Sequence, residues 1–145
     1  MPVVKKITAL ETYTVRQEVL RKGKPIETCH FIGDDATTTT HFGLFENENM
    51  IGAVSVYKTN SPLFTEKIQF QIRGMAVLEY FQSKGFGEQL LKTAEKFCFD
   101  ENTDLIWFNA REKAIPFYQK SGYKIIGNAF DIPNVGIHFV MFKKN

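Results

Sequence analysis

The stretch from Ile68 to Lys96, IQFQIRGMAVLEYFQSKGFGEQLLKTAEK, decides the fold. Ile68, Phe70 and Ile72 alternate with Gln69, Gln71 and Arg73, the period-two pattern of a half-buried strand, and Met75-Ala76-Val77 continues it apolar. Gly74 interrupts the run, as a glycine does at a bulge or where another backbone comes close. A short loop, Gln82-Ser83-Lys84-Gly85-Phe86-Gly87, follows. Phe86, Leu90, Ala94 and then Phe97 or Cys98 recur at steps of three and four, which predicts a packed helix with Glu88, Gln89, Lys92, Glu95 and Lys96 on its wet face. Strand, glycine loop and helix in that order make an anion site. The first amides of a helix lack internal acceptors and carry the positive end of its dipole, and glycines let those amides close around a phosphate.

Moving outward, the common nucleotide fingerprints fail on detail. There is no G-x-x-x-x-G-K-S/T, and G-x-G-x-x-G lacks its third glycine because Leu90 stands there. The stretch instead resembles the GNAT N-acetyltransferases of the small single-domain bacterial type. Their pyrophosphate loop has the form Q/R-x-x-G-x-G/A, and Gln82, Gly85 and Gly87 match its three fixed positions. Trp107-Phe108-Asn109-Ala110-Arg111 resembles the strand that family pairs with its loop strand, and Ala114 to Tyr123, AIPFYQKSGY, is similar to its A-x-x-F-Y-x-x-x-G-F/Y segment. The resemblance runs from roughly Phe42 to the C-terminus, and three motifs in the right order make it specific.

The resemblance implies an α/β (mixed α+β) acyl-CoA N-acyltransferase fold and acetyl-CoA as cosubstrate. Gln82, Ser83, Lys84, Gly85, Phe86 and Gly87 would bind the pyrophosphate of coenzyme A through backbone amides, with Lys84 adding charge at the rim. The same residues also suit a plain strand-to-helix turn whose glycines only fix backbone angles. Met75, Ala76 and Val77, bland core residues by composition, would pair with the pantetheine arm like an added strand. Asn109 would hydrogen-bond the pantetheine where two central strands splay; a turn asparagine is the plainer reading.

Tyr118 is the implied catalytic residue and also touches the coenzyme. A phenol near the sulfur can protonate or stabilise the departing thiolate, while a tyrosine packed in the core would look the same in sequence. Arg111 has three open roles: a coenzyme phosphate, an acceptor carboxylate, or a salt bridge. For the base, Glu79 is a loop carboxylate, and His41 and His138 are strand histidines that either face the acceptor cleft or serve structure. The family often uses ordered water instead.

Composition sets the outer bounds. A chain of 145 residues with 43% hydrophobic and 14% aromatic content suits a single domain spanning 1–145. A formal charge of +2, with lysine pairs only at Lys5-Lys6 and Lys143-Lys144, gives no footprint for nucleic acid; those pairs read as solvated strand ends. MPVVKKITAL has no apolar core for a secretion signal, and no window approaches the ~20 apolar residues of a membrane span. Cys29 and Cys98 have no partners at metal or redox spacing. Cys98 reads as a small core residue and Cys29 as an exposable loop thiol, so a reduced, cytoplasmic protein without a metal is the simplest reading.

In chain order, Val3 to Thr8 predicts a first strand. Leu10 to Leu20 allows a helix that stops before Lys22-Gly23-Lys24-Pro25. Pro25 to Thr40 reads as a long loop, which the resemblance assigns to the acceptor site. His41 to Glu46 and Met50 to Tyr57 predict a hairpin around Asn47-Glu48-Asn49, and Asp104 to Ala110 a strand covered on both faces. Glu112 to Ser121 predicts a short helix with Pro116 in its first turn and Gly122 closing it. Tyr123 to Asp131 and Ile137 to Lys143 complete the strands. That order predicts a central mixed sheet with helices on both faces.

Two functions fit. One is transfer of an acetyl group to a primary amine, small-molecule or peptide, by direct attack in a ternary complex. The other is a non-catalytic acyl-CoA-binding sensor or scaffold. Transfer of a longer acyl group is disfavoured if Met75 and Phe108 crowd the thioester. Exposed sheet edges make a homodimer possible.

Overall fold

A computed structural model describes residues 1–145. Its strands are β1 (Val3–Ile7), β2 (Thr40–Glu46), β3 (Asn49–Lys58), β4 (Gln69–Val77), β5 (Leu105–Arg111), β6 (Lys124–Ile132) and β7 (Gly136–Lys144). Its helices are α1 (Tyr13–Val19), α2 (Phe86–Asp100) and α3 (Ile115–Lys120). The strands form one sheet in the order β1-β2-β3-β4-β5-β7-β6. Every pair is antiparallel except β4 with β5.

Helices cover both faces because neighbouring strand residues point opposite ways. On one face Val15 of α1 packs with Ala53 and Ala76. On the other, Leu90, Leu91, Ala94 and Cys98 of α2 bury against Val54, Ile72, Ile106 and Phe108. The α2 stripe is the one its spacing predicts, widened by Leu91. Losing a buried leucine from such a face costs roughly 2–5 kcal/mol.

A reciprocal cap starts the first helical segment. Thr8 N–H donates to Glu11 Oε1 at 2.8 Å and Glu11 N–H to Thr8 Oγ1 at 3.2 Å, satisfying two amides that the helix cannot. At the other end of the chain, Gly122 (φ +91°) closes α3: its N–H donates to the Gln119 carbonyl at 3.0 Å and Tyr123 N–H to the Tyr118 carbonyl at 3.2 Å. This paired closure of the last turn holds the Tyr118 backbone in place.

Three expectations are corrected. β4 is covered on both faces: Gln69 and Gln71 are buried, not the wet face of a half-buried strand. The alternation is real, but both faces lie inside because the strand is central. Gln69 is satisfied there, accepting from Ser61 N–H at 2.8 Å and donating to the Glu66 carbonyl at 2.9 Å. Cys29 is fully buried, in a tight turn between α1 and β2, because Arg16 donates to its carbonyl at 2.8 Å and pulls the turn inward. Lys143 is no solvated strand end; its ammonium donates to the Ser121 carbonyl at 2.9 Å and to Glu95 at 3.1 Å.

The site depends on two local departures in β4. From Arg73 to Ala76 the strand takes three steps while its partner β3 takes two, from Ser55 to Ala53, so β4 carries one extra residue at Gly74-Met75. Gly74 has φ +64°, and a Cβ there would lie 3.2 Å from Phe31 Cε2 and 3.3 Å from Arg16 Nε. Glycine meets both demands without strain or crowding. On the other edge the β4–β5 ladder covers only Gln69 to Gln71, ending at Trp107 on β5, although both strands run on. Beyond that point the two central strands have parted.

Candidate active site

One end of the candidate site is built from β4, the loop and the start of α2. A tight turn, Glu79–Phe81, leads from the strand into Gln82. Gln82 Nε2 donates to the Val77 carbonyl at 2.8 Å, so its side chain braces the loop on the end of β4. Ser83 (φ +61°) and Gly85 (φ +87°) take left-handed backbone conformations. That is easy for glycine and uncommon for serine, and it curls the loop inward. The amides of Ser83, Lys84 and Gly85 donate to no acceptor in the chain, and those of Phe86, Gly87 and Glu88 open α2, where no helical acceptor exists. The result is a row of free N–H groups at the positive end of a helix of 15 residues. Lys84 Nζ sits 4.8 Å from the Tyr80 ring centroid and 5.9 Å from that of Phe81, at the exposed rim. Phe86 packs on Phe81, and a Cβ added at Gly87 would just meet the Phe117 ring, at 3.6 Å.

Where β4 and β5 part, a cavity of about 300 Å³ opens. Met75 and Gly74 form one wall and Phe108, Asn109 and Ala110 another, with Ala114 and Tyr118 at one end. Ala76 and Val77 are buried and pair with Ala53 and Gly52 on the β3 side, so past the bulge the β5-facing edge of this strand has no partner strand. Asn109 is exposed, two residues beyond the last β4–β5 pair. A second cavity of about 280 Å³ adjoins the first, shares Arg73, Gly74, Asn109, Arg111 and His138 with it, and reaches Arg21 and Phe31. One cleft therefore runs from Tyr118 through the gap to the α1 side of the sheet.

Tyr118 is half-buried beside Phe108, Phe117 and Tyr123, with ring centroids 4.3, 5.1 and 6.3 Å away. Burial among these rings pushes its hydroxyl up to about 12. The phenol is thus a proton donor at neutral pH.

His138 also lines the cleft, on β7 opposite Arg111. Its Nδ1 lies 2.8 Å from the Gly136 carbonyl, which can only accept. That contact assigns the hydrogen to Nδ1 and leaves Nε2 able to accept a proton.

His41 does not reach the cleft. Its Nε2 donates to the Asp34 carbonyl at 2.9 Å and its Nδ1 meets Ser55 Oγ at 2.6 Å, in a buried cluster. Glu79 is exposed and lines neither cavity. Of these three residues, only His138 lines the cleft.

The cluster that holds His41 was not legible beforehand. Arg16, fully buried, donates to both carboxylate oxygens of Asp34 at 2.6 and 3.1 Å, to Ser55 Oγ at 3.0 Å and to Tyr57 Oη at 3.0 Å. Tyr57 in turn donates to Asp34. Burial alone would push the Asp34 carboxyl up, but the bonds from Arg16, Tyr57 and the Phe31 amide more than reverse this and hold it below its usual range. Tyr57 goes the other way: burial, then its bond to Asp34, push it up to about 12. The cluster pins the Pro25–Thr40 segment and seats Phe31 against the cleft, with the Arg16 guanidinium 4.0 Å from its ring centroid.

These features are those of an acyl-coenzyme A transferase fold: a row of free amides at a helix start, a central sheet parted beside it, and a cleft through the gap. A family model for the acetyltransferase (GNAT) family matches residues 6–123, and the chain belongs to that family. It is 36% identical over 140 residues to "Uncharacterized N-acetyltransferase YitI" of Bacillus subtilis (strain 168), an alignment covering 97% of this chain and 94% of that protein. Among solved structures it is similar to Escherichia coli ElaA, at 16% identity and TM-score 0.79 over 99% of this chain and 100% of that one. It is also similar to a GNAT family acetyltransferase from Elizabethkingia anophelis with acetyl-CoA bound, at 17% identity and TM-score 0.71 over 99% and 98%.

Proposed function

We propose that this protein transfers the acetyl group of acetyl-CoA to a primary amine, small-molecule or peptide, by direct attack within a ternary complex. The observation that carries the reading is the cleft, which joins Tyr118 to the α1 side of the sheet beside a row of free amides. The amides of Ser83 to Glu88 hold the pyrophosphate, with Gln82 keeping their loop in shape. The unpaired edge of Met75, Ala76 and Val77 takes the pantetheine arm, and Asn109 meets it from across the gap. Met75 and Phe108 narrow the cleft to a short acyl group.

The thioester supplies the acetyl carbon: a C–N bond forms to the acceptor nitrogen as the C–S bond breaks. The remaining proton transfers belong to the chain. Tyr118 Oη donates its hydrogen to the departing sulfur. His138 Nε2 accepts the proton released by the amine, directly or through water. Positioning supplies most of the acceleration.

The test is thermal unfolding with acetyl-CoA, with adenosine diphosphate as control. Ligand at about a hundred times its dissociation constant adds roughly 2.7 kcal/mol, a rise of very roughly 5 to 10 °C. Tyr118→Phe should then lower kcat about a hundredfold with little change in acetyl-CoA affinity. An unchanged kcat removes the acid role. Coenzyme binding without acetylation of any amine in a broad panel would replace transfer by an acyl-CoA sensor.

A further inference from the structure

The walls of the cleft are charged with one sign only. Arg73 and Arg111 line both cavities, Arg21 joins them in the outer one, and no aspartate or glutamate lines either. None of these three arginines forms a salt bridge, whereas Arg16, just behind them, is paired with Asp34 through both terminal nitrogens. The one hydrogen bond of the Arg73 side chain goes to the Ile32 carbonyl at 3.4 Å, and that of Arg21 to the Leu20 carbonyl at 3.1 Å. The rings hold them in place: Arg21 and Arg73 each lie 5.0 Å from the Phe31 ring centroid, and Arg73 lies 5.3 Å from that of Tyr57. Each guanidinium presents a fork of five N–H donors suited to a planar or tetrahedral oxyanion. Such an arrangement repels a polycationic amine and leaves most of those donors free.

Building on the transferase reading above, we propose that the acceptor is a small anionic amine. Its carboxylate or phosphate is held by Arg73 and Arg111, with Arg21 at the outer rim, while its amino group points along the cleft to His138 and Tyr118. The cavity beside Phe31, about 280 Å³, is the size of a small metabolite and not of a folded partner. One charged end and one nucleophilic end then fix the orientation of the acceptor, because a bidentate guanidinium contact adds direction to attraction.

Matched pairs test this: β-alanine against β-alaninamide for a carboxylate, and O-phosphoethanolamine against ethanolamine for a phosphate. Each is assayed with acetyl-CoA for acetylation, and with coenzyme A-loaded protein for thermal stabilisation. At least one anionic member should exceed its neutral partner by about tenfold or more in kcat/KM, and the pair that responds identifies the anion. The preference should shrink as ionic strength rises. In Arg73→Gln and Arg111→Gln it should fall to about twofold, mainly through KM.

Equal handling of both members in both pairs, or no stabilisation by either anionic amine at about 10 mM, overturns the proposal. Should either variant fail to fold, the salt dependence of the wild-type preference decides the matter alone. Stabilisation by acetyl-CoA without anion preference refutes only the acceptor class. Anion preference in thermal shift without any acetyl-CoA effect refutes the transferase reading and leaves the anion site standing.

Discussion

Arg16 and Arg73 lie within one shell of each other around Phe31, and they are used in opposite ways. Arg16 is fully buried and bonded to Asp34, Ser55, Tyr57 and the Cys29 carbonyl, so its charge is neutralised within the fold. Arg73 points into the cleft with one long carbonyl contact and no acidic partner. A charge removed from water must be paired, or the chain does not fold around it. A charge on a wet wall costs little to leave open, and there it can serve a ligand. The inner arginine builds the wall and the outer ones are free to meet the acceptor.

Breaking the inner pair should have the largest effect. Asp34→Ala leaves Arg16 buried without a counter-charge, at a cost of roughly 3–5 kcal/mol, a fall in Tm of about 10–15 °C for a chain this size. Differential scanning calorimetry checks it, and a loss under about 1 kcal/mol would mean that the pair does not hold the wall. The pH dependence carries a sign. The folded carboxyl titrates below its usual range, so its contribution is whole above the unfolded value of about 3.9 and is lost as pH falls through the folded one. The gap between wild type and variant should therefore close only in acid. Tyr57 acts at the other extreme: its raised value means stability falls as pH rises between about 10 and 12.

The difference between the two arginines also marks what could be read in the sequence. β4, its loop and α2 follow from local signals: period two, then a glycine loop, then period 3.6. Gly74 marked either a bulge or a close approach, and a bulge lies there; Tyr118 and Asn109 were singled out by the family resemblance of their segments, and the fold brings both to the cleft. The Arg16–Asp34 pair joins residues 18 apart, one of them in a stretch without periodicity. No local pattern records that contact. Arg73 was hidden differently, since in an alternating strand it reads as one more polar residue. Its role depends on β4 and β5 parting, which is tertiary. His138 and His41 looked equivalent and are equally buried; only their partners and the cavity that His138 lines separate them.

Gly74 joins the two regions and should give the next largest effect. Gly74→Ala requires a left-handed alanine at φ +64° and brings a methyl carbon to 3.2 Å from Phe31 and 3.3 Å from Arg16 Nε. Conformational strain of about 1–2 kcal/mol then adds to crowding of the two side chains that meet there. Unlike Asp34→Ala, the change keeps the ion pair, so the pH gap should persist while acceptor KM rises through displaced Phe31 and Arg73. A variant with full stability and unchanged KM would show that the bulge and the cleft wall are independent.

The smallest effect on stability belongs to Arg111→Gln, and it is the sharpest test of the contrast. Arg111 is exposed and has no acidic partner, so its removal deletes no paired charge and relieves repulsion from Arg73. Stability in denaturant should stay within about 0.5 kcal/mol of wild type, on the favourable side at low salt. A loss of 2 kcal/mol or more, of the kind expected for a buried network, would mean that the outer arginines hold the fold as Arg16 does. A neutral or stabilising outcome is what a residue reserved for a ligand produces, because its interactions are completed only when the ligand arrives.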